Sequence, residues 1–332
     1  MALILSRADA QQCLTMRDAI DAMKVAFGAL NDGRAQVPHR AAVSLAEQGV
    51  ALVMPSLIQT SQEHAFGLKV VTVMPRNPQR GLSRIYATVL LLDDTTGRAL
   101  AIMEGGWLTA MRTGAASGLA TELLARQDAD ILTVFGAGAQ APMQIVAVHT
   151  ARPLREARVV NRDTAHYHAL VEMVQQMLGD DCPPLLHFSP ESAPEALAGA
   201  SLVGCATTAM APLFAWSDIA PGAHINAVGA FTPGMCEIDA ETLAHARIVV
   251  DQRESAMAEA GDLLQALAAG RISGSATWSE LGEIARGLHP ARQSPEEITV
   301  FKSVGNAIQD VAVALRVYAR ARELGLGVEV DV

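Results

Sequence analysis

The apolar positions change period twice along the chain. Residues 1–33 read as a short strand followed by a helix, with Met16, Ile20, Met23, Phe27 and Leu30 on one face. Thr15 suits the N-cap of that helix and Gly33 its stop. Between 40 and 54 the period shortens to that of two strands around the turn Ala46–Gly49. Further strands are predicted at 67–74, 85–92 and 98–103, and such strands on short turns imply an antiparallel or mixed sheet. Residues 107–126 form a helix whose alanines and glycines suit close packing. From 130 onward strands at 131–135, 157–160, 185–188, 201–205, 223–228 and 247–250 alternate with helical stretches. That alternation implies a parallel sheet with right-handed crossovers. Residues 289–298 read as loop. A last helix over 303–324 carries Val304, Ile308, Val311, Leu315 and Tyr318 on one stripe, expected to pack back on the N-terminal sheet.

The first strand of the alternating section ends in Gly136-Ala137-Gly138-Ala139-Gln140-Ala141, and a helical pattern follows. Strand, glycine turn and helix is the context of a dinucleotide site. Gly136 allows the tight turn, Gly138 lets a pyrophosphate approach the backbone, and Ala141 lets helix and strand pack closely, with the anion at the helix N-terminus. An ordinary turn between strand and helix would show the same residues.

Composition narrows the class. Of 332 residues, 50% are hydrophobic and only 18% charged, so the chain can bury a large core, in two domains or one large α/β unit. The formal net charge of −10 argues against a nucleic-acid or anionic-membrane surface. Cys13, Cys182, Cys205 and Cys236 are scattered and read as small buried residues of a reducing compartment. No secretory leader pattern and no membrane-length apolar run is present, which predicts a soluble cytoplasmic protein. The nine histidines lack metal-ligand spacing, and neither a nucleophile elbow nor a phosphate loop ending in Gly-Lys-Ser/Thr occurs.

Three cations stand out. Lys69 sits among apolar neighbours in its strand; it either points to solvent or is held by an anion, where burial would lower its pKa and suit it to proton donation. Arg112 is the only strong charge between Glu104 and Glu122, and its guanidinium offers a fork for a carboxylate. Arg40 follows Val37-Pro38-His39 and, taken alone, reads as a surface residue. Asn161-Arg162-Asp163 ends the second strand of the alternating section, about 20 residues after the glycine motif, where the ribose is read. Arg162 suits a 2′-phosphate and favours NADP, while Asp163 leaves NAD open.

Several segments together resemble the ornithine cyclodeaminase/mu-crystallin family. They are Met54-Pro55, Gly67-Leu68-Lys69, Pro75–Pro78, Thr109–Ala116, Gly136–Ala141, Asn226–Gly229, Gly261-Asp262-Leu263 and Phe301–Gly305, in one order over nearly the whole chain. The resemblance implies a homodimer with a Rossmann domain at 119–305, inserted in a discontinuous α+β substrate-binding and dimerisation domain at 1–118 and 306–332. It implies that Lys69, Arg112 and Arg40 handle the substrate carboxylate and reacting centre. The cofactor would meet Thr113, Gly136, Gly138, Ala139, Gln140, Ala141, Asn161, Arg162, Thr207, Ser303, Val304 and Gly305. One departure is informative. Where ornithine cyclodeaminases carry an aspartate thought to act as base, this chain has Phe231. Cyclodeamination needs a group that moves protons, whereas reducing a preformed cyclic imine does not need that acid. The resemblance is therefore to the branch reducing 1-pyrroline-2-carboxylate and 1-piperideine-2-carboxylate, and Arg162 makes NADPH the preferred cofactor with NADH an alternative. An alanine-type dehydrogenase, an ornithine cyclodeaminase and a non-catalytic NADP-binding crystallin stand behind it.

Overall fold

The structure, a computed structural model, describes residues 1–61 and 63–331. The chain divides into two compact units, Met1–Arg112 with Asn306–Val332, and Thr113–Gly305. The first division falls inside the helix Gly105–Leu124, six residues before the boundary expected at 118.

In the first unit, the strand Ala2–Leu5 leads through a short helix, Arg7–Cys13, to the helix Met16–Asn31. The short helix was not expected; Ser6 and Asp9 cap it reciprocally. Thr15 and Asp18 form the same capping box on the longer helix, whose Met16, Ile20, Met23 and Phe27 are buried as its periodicity predicts. The strands Ala41–Ser44, Val50–Gln59, His64–Val73, Ile85–Leu92 and Ala99–Glu104 run antiparallel as neighbours. Ala2–Leu5 adds in parallel to Ala99–Glu104, so the sheet is mixed.

The C-terminal helix spans Ala307–Leu324, shorter than expected, and lies against the middle strands of that sheet. A Cβ on Gly67 would sit 2.3 Å from Val311 Cγ2, so only glycine lets strand and helix approach this closely. The buried face runs through Ala314, Val317 and Ala321, whereas Leu315 and Tyr318 are only half-buried. Val304, Ile308 and Val311 of the stripe read from sequence are buried as expected, and the departure is confined to the C-terminal half of the helix.

The second unit is a doubly wound Rossmann domain. Its sheet runs in the order Leu185–Phe188, Glu156–Val160, Ile131–Phe135, Leu202–Cys205, His224–Ala227, Ile298–Lys302, Ala246–Val250 and Ser279–Glu280, all parallel. Ile298–Lys302 was missed in the sequence. It is buried throughout and sits between two predicted strands. Its run ITVFK is short and follows a proline-containing loop, so length and context hid it. Strand order reverses between Ile131–Phe135 and Leu202–Cys205, and ligands of open α/β sheets bind beyond the carboxyl ends of strands at that point.

Candidate active site

The three cations of the first unit do not stay separate. Lys69 projects from the strand His64–Val73 and Arg112 from the helix Gly105–Leu124. Both are buried, and both meet Asp310 in the first turn of the C-terminal helix. Lys69 Nζ lies 2.7 Å from Asp310 Oδ2. Arg112 Nε donates to Asp310 Oδ1 at 3.1 Å, and Nη1 donates to Gln309 Oε1 at 2.6 Å. Lys69 Nζ also reaches Thr109 Oγ1 at 3.5 Å. Arg40, half-buried just before Ala41–Ser44, is close enough to disfavour the charge on Lys69. Burial pushes the Lys69 pKa down to about 8, opposed by Asp310 and assisted by Arg112 and Arg40.

Asp310 was not singled out in the sequence. Its signal was an acid among Ile308, Val311 and other apolar residues, in a chain where two apolar-flanked cations already needed a partner. With Asp310 in place, two buried cations, Lys69 and Arg112, face one buried carboxylate. Among the described residues that trio carries one more positive than negative charge, and burying the imbalance is costly until an anion enters.

In the second unit the glycine turn has the shape of a phosphate cradle. Gly136 adopts φ +100°, and a Cβ there would lie 2.6 Å from Ala206 O. Among the described residues nothing lies within 4 Å of a Cβ placed on Gly138, so that side of the turn is open to an incoming group. Ala141 is buried at the start of the helix Ala141–Ala151, while Gln140 carries a buried Oε1 that finds no hydrogen-bond donor among the described residues. These features fit a dinucleotide pyrophosphate.

At the second strand end, Asp163 caps the helix Thr164–Leu178, accepting from Ala165 N and His166 N, and pairs with the His166 ring at 2.8 Å. Its carboxylate is thus engaged locally. Asn161 is tied to His187 and to Asp163 O. Arg162 is exposed beside them.

The remaining expected cofactor contacts are buried or framed from within. Thr113 is buried in the helix Gly105–Leu124. Thr207 donates through N and Oγ1 to Glu237. Ser303 Oγ, Val304 N and Gly305 N all donate to Asp251. Asn226, prominent in the family motif, is structural: its amide donates to Thr121 and accepts from the buried His224 ring. Phe231 is 42% exposed, in the loop after His224–Ala227. Among the described residues no cluster of His, Cys, Asp or Glu is arranged to hold a metal ion.

A chain that carries both a glycine-turn Rossmann domain and a unit with a buried anion-seeking cluster is an oxidoreductase that uses a nicotinamide dinucleotide on a small acidic substrate. The chain belongs to the ornithine cyclodeaminase/mu-crystallin family, which it matches over residues 1–325. It is 37% identical over 331 residues to the Delta(1)-pyrroline-2-carboxylate reductase of Bacillus cereus, covering 99% of each chain. The Thermococcus litoralis Delta(1)-pyrroline-2-carboxylate reductase, solved with NADH and L-proline, superposes with a TM-score of 0.91 at 37% identity, over 99% of this chain and 100% of that one. An archaeal alanine dehydrogenase dimer with bound NAD superposes with a TM-score of 0.89 at 32% identity, over 99% of each chain.

Proposed function

We propose that the protein reduces the cyclic imino acid 1-pyrroline-2-carboxylate to L-proline, and its six-membered analogue 1-piperideine-2-carboxylate to L-pipecolate, with NADPH preferred. The observation that carries this reading is the pair of buried cations sharing a single carboxylate, Asp310. A substrate carboxylate completes the charge balance. Arg112, with Nε and Nη1 committed to Asp310 and Gln309, presents Nη2 to it, and Arg40 adds a second guanidinium. Lys69, with a pKa of about 8, is mostly protonated at neutral pH. It steadies the carboxylate and holds a proton at Nζ for the imine nitrogen. Gly136, Gly138, Ala139, Gln140 and Ala141 seat the pyrophosphate, and the bound dinucleotide supplies the hydride. Hydride to carbon and proton to nitrogen convert C=N to CH–NH. Phe231, which cannot exchange protons, fits a reduction that needs no acid at that position.

The engagement of Asp163 as a helix cap, beside an exposed Arg162, supports NADPH over NADH. A homodimer is supported by the first unit's sheet. Val43, Ala51, Thr72 and Tyr86 are paired in register across four strands, with Val43 and Tyr86 about half exposed. Four free cysteines support a cytoplasmic setting, and among the described residues no helix is long and apolar enough to cross a membrane.

The test is loss of reduced-nicotinamide absorbance on adding either imine, with NADPH and NADH in parallel. Both imines should be consumed, faster with NADPH. No oxidation above the blank would refute the reductase reading. Reduction of pyruvate only in the presence of ammonia would replace it with an open-chain amino-acid dehydrogenase, and proline plus ammonia from ornithine would replace it with a cyclodeaminase.

A further inference from the structure

The second unit holds a set of buried charges that the proposed chemistry does not use. Glu237 is fully buried and accepts four donors. Thr207 N and Oγ1 bind one oxygen at 2.7 and 2.8 Å, and Gly229 N and Ala230 N bind the other at 2.8 and 2.9 Å. With each oxygen taking two donors, the side chain works as a carboxylate although burial pushes its pKa up. The loop after Leu202–Cys205 is thereby tied to the loop after His224–Ala227. A Cβ on Gly229 would sit 2.3 Å from Glu237 Oε1, so the tie also requires that glycine.

Asp262 in turn fixes Glu237, accepting from Glu237 N at 2.5 Å and Ile238 N at 3.0 Å. Its other oxygen lies 2.7 Å from Lys302 Nζ at the end of Ile298–Lys302. Asp251, directly after Ala246–Val250, gathers Ser303 Oγ, Val304 N and Gly305 N on one oxygen at 2.8 to 3.0 Å. Leu202–Cys205, His224–Ala227, Ile298–Lys302 and Ala246–Val250 are neighbours in the sheet. Three buried carboxylates therefore stitch together the carboxyl ends of four adjacent strands.

We infer that Glu237, supported by Asp262 and Asp251, is a positioning residue that preforms the nicotinamide half of the dinucleotide site. The Gly136–Ala141 cradle and Arg162 serve the other half. In doubly wound domains the strands on the far side of the switch point carry the second mononucleotide. The stitched ends belong to that half. The carboxylates hold the amides of Thr207, Val304 and Gly305 and the hydroxyls of Thr207 and Ser303, so the loops that carry them are fixed in shape before a ligand arrives. The inference rests on the reading that this unit takes a nicotinamide dinucleotide, and not on which imine is reduced.

The test is calorimetric titration of the full chain, without substrate, with NADPH and separately with 2′-phospho-ADP-ribose, which lacks nicotinamide. E237Q keeps the shape of the side chain. With its oxygen kept on the two glycine-loop amides, it turns an NH₂ toward Thr207 N, orphaning that donor. NADPH affinity should fall about tenfold or more, the equivalent of one charge-assisted hydrogen bond, while affinity for the fragment changes less than about twofold. D251N disturbs the belt more gently and should show the same selective loss, about threefold, which keeps the test open if E237Q does not fold. Equal weakening of both ligands, or no weakening of either, overturns the inference. Failure of the wild-type protein to bind either ligand, and to bind NADH as well, overturns the dinucleotide reading itself.

Discussion

Replacing Asp310 by asparagine isolates the charge that holds the substrate cluster together. The amide keeps the shape and an acceptor for Arg112 Nε, but removes the negative charge 2.7 Å from Lys69 Nζ. In the wild-type protein burial pushes Lys69 down to about 8, and Asp310 is what resists. Without it, burial, Arg112 and Arg40 all act in the same direction. Two unit charges about 4 Å apart interact by about 4 kcal/mol at an effective dielectric of about 20, equivalent to roughly three pH units. Lys69 is charged below its pKa, so activity that needs the ammonium is present at low pH and lost as pH rises through that value. The wild-type limb in kcat/KM should fall near pH 8, and the D310N limb should lie about two to three units lower. At neutral pH the variant should be nearly inactive and should recover on acidification. Where it recovers, its KM for the imine should not rise, because no internal carboxylate competes for Arg112. The assay is kcat/KM across roughly pH 5 to 9, with urea unfolding to verify that the variant is folded at each pH. A limb that stays near pH 8 in D310N would refute the assignment of Lys69 as the titrating group under Asp310 control.

Two further substitutions test the remaining roles. Arg112→Ala should raise KM for the cyclic imine about 10- to 100-fold, the value of a lost charge-assisted contact, with a smaller effect on kcat; unchanged kinetics would remove Arg112 from the site. Arg162→Ala should lower the kcat/KM ratio of NADPH to NADH by about tenfold without altering KM for the imine, and an unaltered ratio would refute the phosphate assignment.

The local grammar of the chain was enough for most of the scaffold. Thr15 ahead of an apolar-periodic run specifies a helix N-cap, and Gly136 and Gly138 specify a turn without side chains, because those constraints act within a few residues. Lys69 and Arg112 could be singled out for the same reason, as charges in apolar surroundings. The strand Ile298–Lys302 and the buried face of the last helix in its C-terminal half were not legible. A five-residue apolar run has no period of its own, and which helix face is buried depends on the sheet it meets. Asp310 lies 198 residues from Arg112 in the chain, and Glu237 lies 30 from Thr207, so neither pairing leaves a trace in sequence spacing. Residue chemistry selects which side chains can ionise or turn. Only chain closure, by removing them from water, forces lone charges to find one another and so decides which of them form a site.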